Sequence, residues 1–374
     1  MVAQTNASVN NNKYYGDVIP VIVLVCNRAE ALERLLHKLT KLRSSTTKFP
    51  IYVSQDCDHL ETKAVASKYD VQFIKHSAPT TEHFNIPTSM MQYKTYYYIS
   101  RHYKLALEEI FDRYKHESVI ILEDDLDIAE DFFSYFDSTY QILKKDESIY
   151  CISAWNDNGL PELINLKENA KLYRSDFFPG LGWLMDRRLW KEIGSSWPDG
   201  FWDDWIRLPE QRKERVCIRP EVSRTSMTSF GKKGASQGYF FDNFLNKIVH
   251  NEVAVDFNKL DLSYLVKETY DKEYLVDVYN KSKKYSLNEV KHFLNRDNVI
   301  ATDVNKLIRI EYATFQQYQE IVSFLGLMRD FKVGVGRNAY KGILTTYTKN
   351  GIRVYIAPDL SIWKGYDKKW EFIP

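Results

Sequence analysis

Val119-Ile120-Ile121-Leu122-Glu123-Asp124-Asp125-Leu126-Asp127-Ile128 is the stretch that decides how the rest of the chain is read. Its first residues are β-branched or aliphatic without alternation, the pattern of a strand buried on both faces. That strand ends in consecutive carboxylates, Glu123, Asp124 and Asp125. Buried without partners, each would cost several kcal/mol, so partners are expected. In open α/β sheets, ligands bind beyond the carboxyl ends of the strands. Hard oxygen ligands in such a place suit Mg²⁺ or Mn²⁺, ions that commonly bridge to a ligand's phosphates. A second reading of the same residues is a solvated acidic turn capping the next helix, because Asp is common at helix starts.

The preceding sequence supplies the sheet. Residues 19–26 form a near-continuous apolar strand with Asn27-Arg28 at its carboxyl end, and Leu32, Leu35, Leu36 and Leu39 give residues 30–42 helical spacing. Residues 49–54 are a second strand, ending in Gln55-Asp56; residues 64–68 are helical and 71–75 a third strand. This is a β-α-β-α-β half of a doubly wound sheet. No G-x-G-x-x-G follows the first strand, which argues against a dinucleotide cofactor. Residues 96–113 are helical and carry Arg101-His102; on the residues alone His102 reads first as a helix histidine satisfied in the core, and second as a ligand-facing group. A further helix spans 130–143. Arg28, Asp56 and the Glu123 to Asp125 cluster therefore fall at one edge of one sheet, and that convergence favours a site.

Downstream, residues 148–155 are a strand leading to the turn-prone Asn156-Asp157-Asn158-Gly159. Tyr173-Arg174-Ser175-Asp176-Phe177-Phe178-Pro179-Gly180-Leu181-Gly182-Trp183 and Phe201-Trp202-Asp203-Asp204-Trp205 show little helical or strand period. They read either as a loop-rich part of the core or as an acceptor cleft. Phe230-Gly231-Lys232-Lys233-Gly234-Ala235-Ser236-Gln237-Gly238 is a glycine-rich loop, a candidate lid over phosphates. Residues 343–347 and 352–356, joined through Lys349-Asn350-Gly351, are expected to form a hairpin. The expected organisation is a disordered leader or stem remnant at 1–17, a larger ligand-binding domain at 18–230, a mobile loop and linker at 231–267, and a small C-terminal α+β domain at 268–374.

Composition excludes several classes. With 374 residues, 44% hydrophobic and 27% charged, the chain is an ordinary globular protein large enough for two domains. A net charge of +1 gives no overall field for nucleic acid or an anionic membrane. No apolar run is long enough to span a bilayer, and the Asn-rich start lacks the apolar region of a signal peptide. Cys26, Cys57, Cys151 and Cys217 form no C-x-x-C pair, which argues against zinc. They allow two disulfides in an oxidising compartment or four free thiols; Cys26 and Cys57 can meet if the first two strands are neighbours. Two sequons, Asn6-Ala7-Ser8 and Asn280-Lys281-Ser282, are compatible with secretion.

Taken together, residues 120–125, 153–159, 177–183 and Trp202-Asp203-Asp204-Trp205 resemble the N-glycan N-acetylglucosaminyltransferase I family. The likeness runs through Arg219-Pro220-Glu221 and the glycine-rich loop to Gly365-Tyr366-Asp367, covering essentially all of the chain from residue 19. The resemblance implies a type A glycosyltransferase fold, a Rossmann-like mixed sheet flanked by helices with a smaller C-terminal domain. It implies transfer of GlcNAc from UDP-GlcNAc, with inversion, in β1,2 linkage to the α1,3-arm mannose of a Man5GlcNAc2 N-glycan. One Mn²⁺ ion bridging the UDP diphosphate is implied as cofactor. Residue by residue, Asp125 would be the metal ligand, and Glu123 and Asp124 would contact the nucleotide sugar. Arg28, Asp56, Ile99 and His102 would hold the nucleotide, Asp203 would be the catalytic base beside Trp202, and Ala235 and Ser236 would lie in the closing loop. Cys26–Cys57 and Cys151–Cys217 would match the family's two disulfides and place the chain in an oxidising lumen, the Golgi. Family members are type II membrane proteins, so this chain would begin inside the stem.

Departures from the family are small: Asn27 stands where relatives often carry Asp or Ser, and Ala235 and Gln237 where many have Val and His. The expected chemistry asks for a divalent ion to stabilise charge on the leaving diphosphate and a separate carboxylate to deprotonate the attacking hydroxyl. Asp204 competes with Asp203 for that second role, the other of the pair holding Arg207 or a nearby amide. Two alternatives share the fold: a β1,2-N-acetylglucosaminyltransferase acting on protein O-mannose, and a non-catalytic nucleotide-sugar-binding relative.

Overall fold

The computed structural model describes residues 17–79, 86–235, 237–294 and 306–371. Its first half follows the apolar runs. β1 (Val21–Val25), α1 (Ala29–Leu42), β2 (Ile51–Gln55), α2 (Leu60–Ala66) and β3 (Gln72–Lys75) are followed by α3 (Lys94–Glu108) and β4 (Ser118–Glu123). The four strands pair in parallel in the order β3-β2-β1-β4, as expected for a doubly wound half. Strand period places side chains alternately on the two faces. Val21, Val23 and Val25 pack with Leu32, Leu35, Leu36 and Leu39 of α1, whereas Ile22 and Leu24 pack with Tyr103, Ala106 and Leu107 of α3. Both faces are covered, so β1 has no polar side. Each fully buried leucine of α1 is worth roughly 1.5–3 kcal/mol, which makes this layer the base on which the sheet edge stands.

The acidic stretch divides at its carboxylates. β4 stops at Glu123, Asp124 and Asp125 turn, and β5 (Leu126–Ile128) restarts outside the main sheet, before α4 (Phe132–Lys145). Beyond β4 the sheet becomes mixed. β6 (Ile149–Ser153), β7 (Leu172–Ser175), β8 (Trp183–Asp186) and β9 (Val216–Pro220) extend it in the order β4-β8-β6-β9-β7. β8 runs antiparallel to both β4 and β6. Here the structure corrects the expectation of aperiodic loops: β7 and β8 are strands buried on both faces, which erases alternation. Between β8 and β9 lie α5 (Arg187–Ile193) and α6 (Trp202–Ile206), the latter a helix too short to show a period. β10 (Thr225–Met227) pairs antiparallel with β5.

A second sheet is built from β11 (Lys283–Tyr285), β12 (Leu307–Tyr312), β15 (Leu344–Tyr347) and β16 (Arg353–Pro358), in the order β11-β12-β16-β15. The short pair β13 (Phe331–Lys332) and β14 (Val335–Gly336) lies between β12 and β15 in sequence. β15 and β16 are the expected hairpin, with Gly351 at a φ of +80° in its turn. Ile308, Ile310, Val322, Val354 and Ile356 form a core of their own, but Tyr270, Tyr274, Tyr355 and Ala357 belong to the core of the main sheet. Buried Arg353 donates to Glu221 at 2.9 Å, tying the two sheets together.

Candidate active site

The register of the parallel strands assembles the first part of the site. Leu24 pairs with Glu123, so the residues just beyond each strand end face one another. Arg28 donates through Nε to Asp124 Oδ2 at 3.1 Å and through Nη1 to Asp125 Oδ2 at 2.9 Å, with a further short bond from Nη2 to Asp124. Asp124 and Asp125 are only 1% and 6% exposed. Glu123 accepts from the Tyr103 hydroxyl at 2.8 Å. Burial, reinforced by the charge of Asp125, holds the Glu123 carboxyl above its usual range; burial also raises Asp124 to about 7 even with Arg28 in contact. A single guanidinium is thus set against three carboxylates. An all-oxygen, buried set with a surplus of negative charge has the chemistry that a hard divalent cation satisfies.

The glycine-rich loop is anchored to the same turn. Thr228 donates to the Asp125 carbonyl from its backbone N–H at 2.9 Å and from its hydroxyl at 2.7 Å, and Arg28 Nη1 reaches the Phe230 carbonyl at 3.2 Å. Ala235 follows on this loop and is partly buried; Ser236 lies outside the described residues.

Asp56 and His102 meet at the end of β2. His102 Nε2 is 2.9 Å from Ser54 Oγ and its Nδ1 is 3.4 Å from Asp56 Oδ1, while His76 Nε2 approaches the same Ser54 hydroxyl at 3.0 Å. Burial lowers His102 to about 3 and His76 to about 4, and raises Asp56 to about 6 against the opposing charge of Arg101. Both imidazoles are therefore neutral at pH 7. Ile99, one turn earlier on α3, is partly buried against the apolar layer beneath. The Cys26–Cys57 disulfide, with Cα atoms 5.3 Å apart, clips the ends of β1 and β2 together between Arg28 and Asp56. Cys151–Cys217 joins β6 to β9. Both pairings are those implied by the resemblance. Cys26, Asp56 and Cys57 also form the one grouping among the described residues whose ligand atoms approach as a metal site would, but the sulfurs are joined to each other.

Asp203 stands on α6, a separate element from the acidic turn. Trp202 is buried between Trp183 and Trp197, stacked at 5.7 and 5.6 Å, and lies 4.2 Å from the Tyr103 ring. With Trp202 fixed inward, Asp203 and Asp204 face outward, their side chains 43% and 42% exposed. Arg207 Nη1 donates to Asp203 at 2.9 Å and to Asp204 at 3.1 Å, and Lys332 pairs with Asp204 at 3.2 Å. The charge of Asp203 acts on both Glu123 and Tyr103, which sets this carboxylate within electrostatic reach of the acidic turn. Tyr103 thus bridges Glu123 of the acidic turn and Trp202 beside Asp203, while His102, its chain neighbour, turns to Asp56 at the end of β2. Tyr103 and Thr228 escaped the sequence reading. A tyrosine on the inner face of a helix looks like core, and Thr228 is recognisable only once β5 and β10 are paired.

A buried acidic strand end, an arginine, a glycine-rich loop anchored beside them and a separate outward-facing carboxylate are the parts of a glycosyltransferase active site. The chain belongs to the GNT-I family, whose profile matches residues 1–370. It is 36% identical over 349 residues to the alpha-1,3-mannosyl-glycoprotein 2-beta-N-acetylglucosaminyltransferase of Arabidopsis thaliana, a match that covers 91% of this chain and 74% of that one. Among solved structures, S. aureus TarS 1–349 matches with a TM-score of 0.39 and 11% identity, covering 82% of this chain and 80% of that one. The mannosyltransferase PcManGT from Pyrobaculum calidifontis, in complex with GDP-Man and Mn²⁺, matches with a TM-score of 0.33 and 15% identity over 48% of each chain. Likeness at that level identifies neither reaction nor ligand. Among the described residues, no helix is long and apolar enough to cross a membrane.

Proposed function

We propose that this enzyme transfers GlcNAc from UDP-GlcNAc, with inversion, in β1,2 linkage to the α1,3-arm mannose of Man5GlcNAc2 N-glycans, in the Golgi lumen. Membership of the GNT-I family and the name of the Arabidopsis relative support the sugar, the linkage and the acceptor. The observation that carries the mechanism is the division of labour among carboxylates: a buried acidic turn with one arginine, and a half-exposed Asp203 facing it.

In this reading Asp125 would hold a divalent cation, Mn²⁺, whose charge would stabilise the departing diphosphate. Among the described residues, the three carboxylates of the acidic turn do not draw their oxygens together as a three-ligand site would, so Asp125 alone is assigned to the ion. Glu123, Asp124 and Trp202 contact the nucleotide sugar, and Arg28, Asp56, Ile99 and His102 hold the nucleotide. Ala235, with Ser236 beyond the described residues, belongs to the loop that covers the phosphates. Asp203 takes the proton of the acceptor hydroxyl as that oxygen bonds to the anomeric carbon and the bond to UDP breaks on the opposite face. Arg207 orients the receiving carboxylate. The catalytic unit is 18–230, the loop and linker 231–267, and the small C-terminal domain 268–374.

The test is transfer from UDP-GlcNAc to free Man5GlcNAc2 with Mn²⁺ and with EDTA. A metal-dependent single β1,2 addition supports the reading. UDP binding without transfer would leave the donor site and reject the acceptor, and O-mannosyl peptide would then be tried. Failure of UDP to bind with Mn²⁺ would reject the reading of the acidic turn.

A further inference from the structure

The segment before α6 carries a feature that the donor chemistry does not use. Phe201, at the helix start, has φ +53° and ψ +43°, the left-handed region that is unfavourable for a bulky side chain. Its ring lies flat on Tyr96, with centroids 5.0 Å apart and planes 14° apart, and meets the edges of Tyr93 and Tyr97 at 5.9 Å. Gly200 makes the turn possible, because a Cβ there would press on the Tyr97 ring at 3.0 Å. Tyr97 is buried, but Tyr93 is 43% exposed and Tyr96 and Phe201 are half-buried. Met90 and Met91, on the same turn of chain, are 37% and 51% exposed. The result is an exposed aromatic surface held in place by backbone strain.

That surface adjoins the proposed base. Phe201 precedes Asp203 by one buried residue, Trp202, and the charges of Asp203 and Asp204 add to burial in raising the Tyr96 phenol. Aromatic rings of this kind bind the C–H face of a pyranose. The mannose that reacts must sit between Asp203 and the donor, so the ring surface is left for a neighbouring sugar of the acceptor.

We propose that Tyr93, Tyr96 and Phe201 form an acceptor subsite that stacks a hexopyranose of the glycan adjacent to the reacting mannose, and so set acceptor specificity. The proposal rests on the assignment of a glycan acceptor above. Tyr93→Ala removes an exposed ring; Phe201→Gly removes the stacking ring while suiting the left-handed backbone, which separates stacking from strain. For each, the KM for Man5GlcNAc2 should rise roughly tenfold, the upper end for one aromatic contact, while the Kd for UDP with Mn²⁺ stays within about twofold. Retained UDP affinity also reports an intact fold. KM values for both variants within about twofold of the parent enzyme would overturn the subsite, since even a weak aromatic contact exceeds that. Failure of the parent enzyme itself to use the glycan would instead overturn the acceptor assignment.

Discussion

Replacing Asp203 with Asn removes a proton acceptor while leaving almost everything around it in place. The side chain is 43% exposed and its recorded bond comes from Arg207 Nη1 at 2.9 Å, which an amide oxygen also accepts. Arg207 keeps other partners: Asp204 at 3.1 Å, the Phe178 carbonyl at 3.1 Å and the Phe177 ring at 4.9 Å. An exposed i,i+4 pair is worth about 0.3–0.5 kcal/mol, so stability should move by less than about 1 kcal/mol. Loss of a general base lowers turnover by about 10²–10⁴, equivalent to about 2.7–5.4 kcal/mol in the barrier. The two effects are far enough apart to be told from each other. Initial rates of transfer to Man5GlcNAc2 with Mn²⁺ measure the second, and UDP binding by calorimetry together with a melting curve measures the first. A rate loss of less than about tenfold would refute the assignment. So would an equal collapse of UDP binding and turnover, which would make Asp203 a scaffold residue. Asp204→Asn is the control, because Asp204 is held by both Arg207 and Lys332. It should cost less than about tenfold, and the opposite ranking would move the base to Asp204.

Asp125→Ala should abolish Mn²⁺-dependent UDP binding without unfolding the chain, because Arg28 retains Asp124; persistence of metal-dependent binding would exclude Asp125 as ligand. His76 and His102 should give the stability of the fold a component that acid removes. His76 and His102 are held at about 4 and about 3, below the 6.5 of an unfolded chain, so the stability they contribute is complete above pH 6.5 and is lost as pH falls towards those values. Asp56, raised from 3.8 to about 6, Asp124, raised from 3.8 to about 7, and Glu123, also held above its ordinary range, act in the opposite sense, so the histidine component is read by difference from a His76→Gln variant. Between pH 7 and pH 5 the midpoint of the parent chain should fall relative to that of His76→Gln, and an identical pH dependence in the two would contradict the assignment. Reduction should act in two stages. The partly exposed Cys26–Cys57 opens first and weakens UDP binding, whereas Cys151–Cys217, 0% exposed, resists until the sheet opens. With sequence separations of 31 and 66, loop closure assigns them about 3.7 and about 4.3 kcal/mol. Simultaneous reduction in native buffer, followed by mass spectrometry of alkylated thiols, would contradict the order.

The parallel half of the sheet was legible because burial on both faces leaves near-continuous apolar runs, and helical spacing between them is unmistakable in Leu32, Leu35, Leu36 and Leu39. The rest of the sheet was obscured by the same burial. Leu172–Ser175 and Trp183–Asp186 are four-residue strands whose every residue is buried, so neither alternation nor a long run remains to be read. α6 has five residues, less than two turns. The second half of the acidic stretch was harder still. Leu126–Ile128 continues the apolar pattern of β4 but pairs with Thr225–Met227, far along the chain, and only that pairing brings Thr228 onto Asp125. The site followed the same division. Arg28, Asp56 and the acidic turn are placed by the rule that strand ends converge, whereas Asp203 is separated from Asp204 by resemblance, since both face outward and share Arg207.

Tyr103 shows why the two halves of the site act as one. Its hydroxyl bonds Glu123, at the end of β4, and its ring packs on Trp202, beside the proposed base. A side chain buried in this way fixes both partners with a single rotamer, and the tryptophan stack beneath it leaves little room for a second. The separation between the acidic turn and Asp203 is therefore set by packing rather than by loop conformation. That is what an inverting displacement demands, because the leaving group and the base must stay on opposite sides of one sugar ring throughout the reaction. Binding is left to the elements around this centre. The glycine-rich loop is tied down at Thr228 and Phe230 but runs on exposed beyond them, and Tyr93 stands on a single exposed turn. A rigid reaction centre flanked by adaptable binding segments lets acceptor preference change through residues such as Tyr93 without disturbing the distance between donor and base.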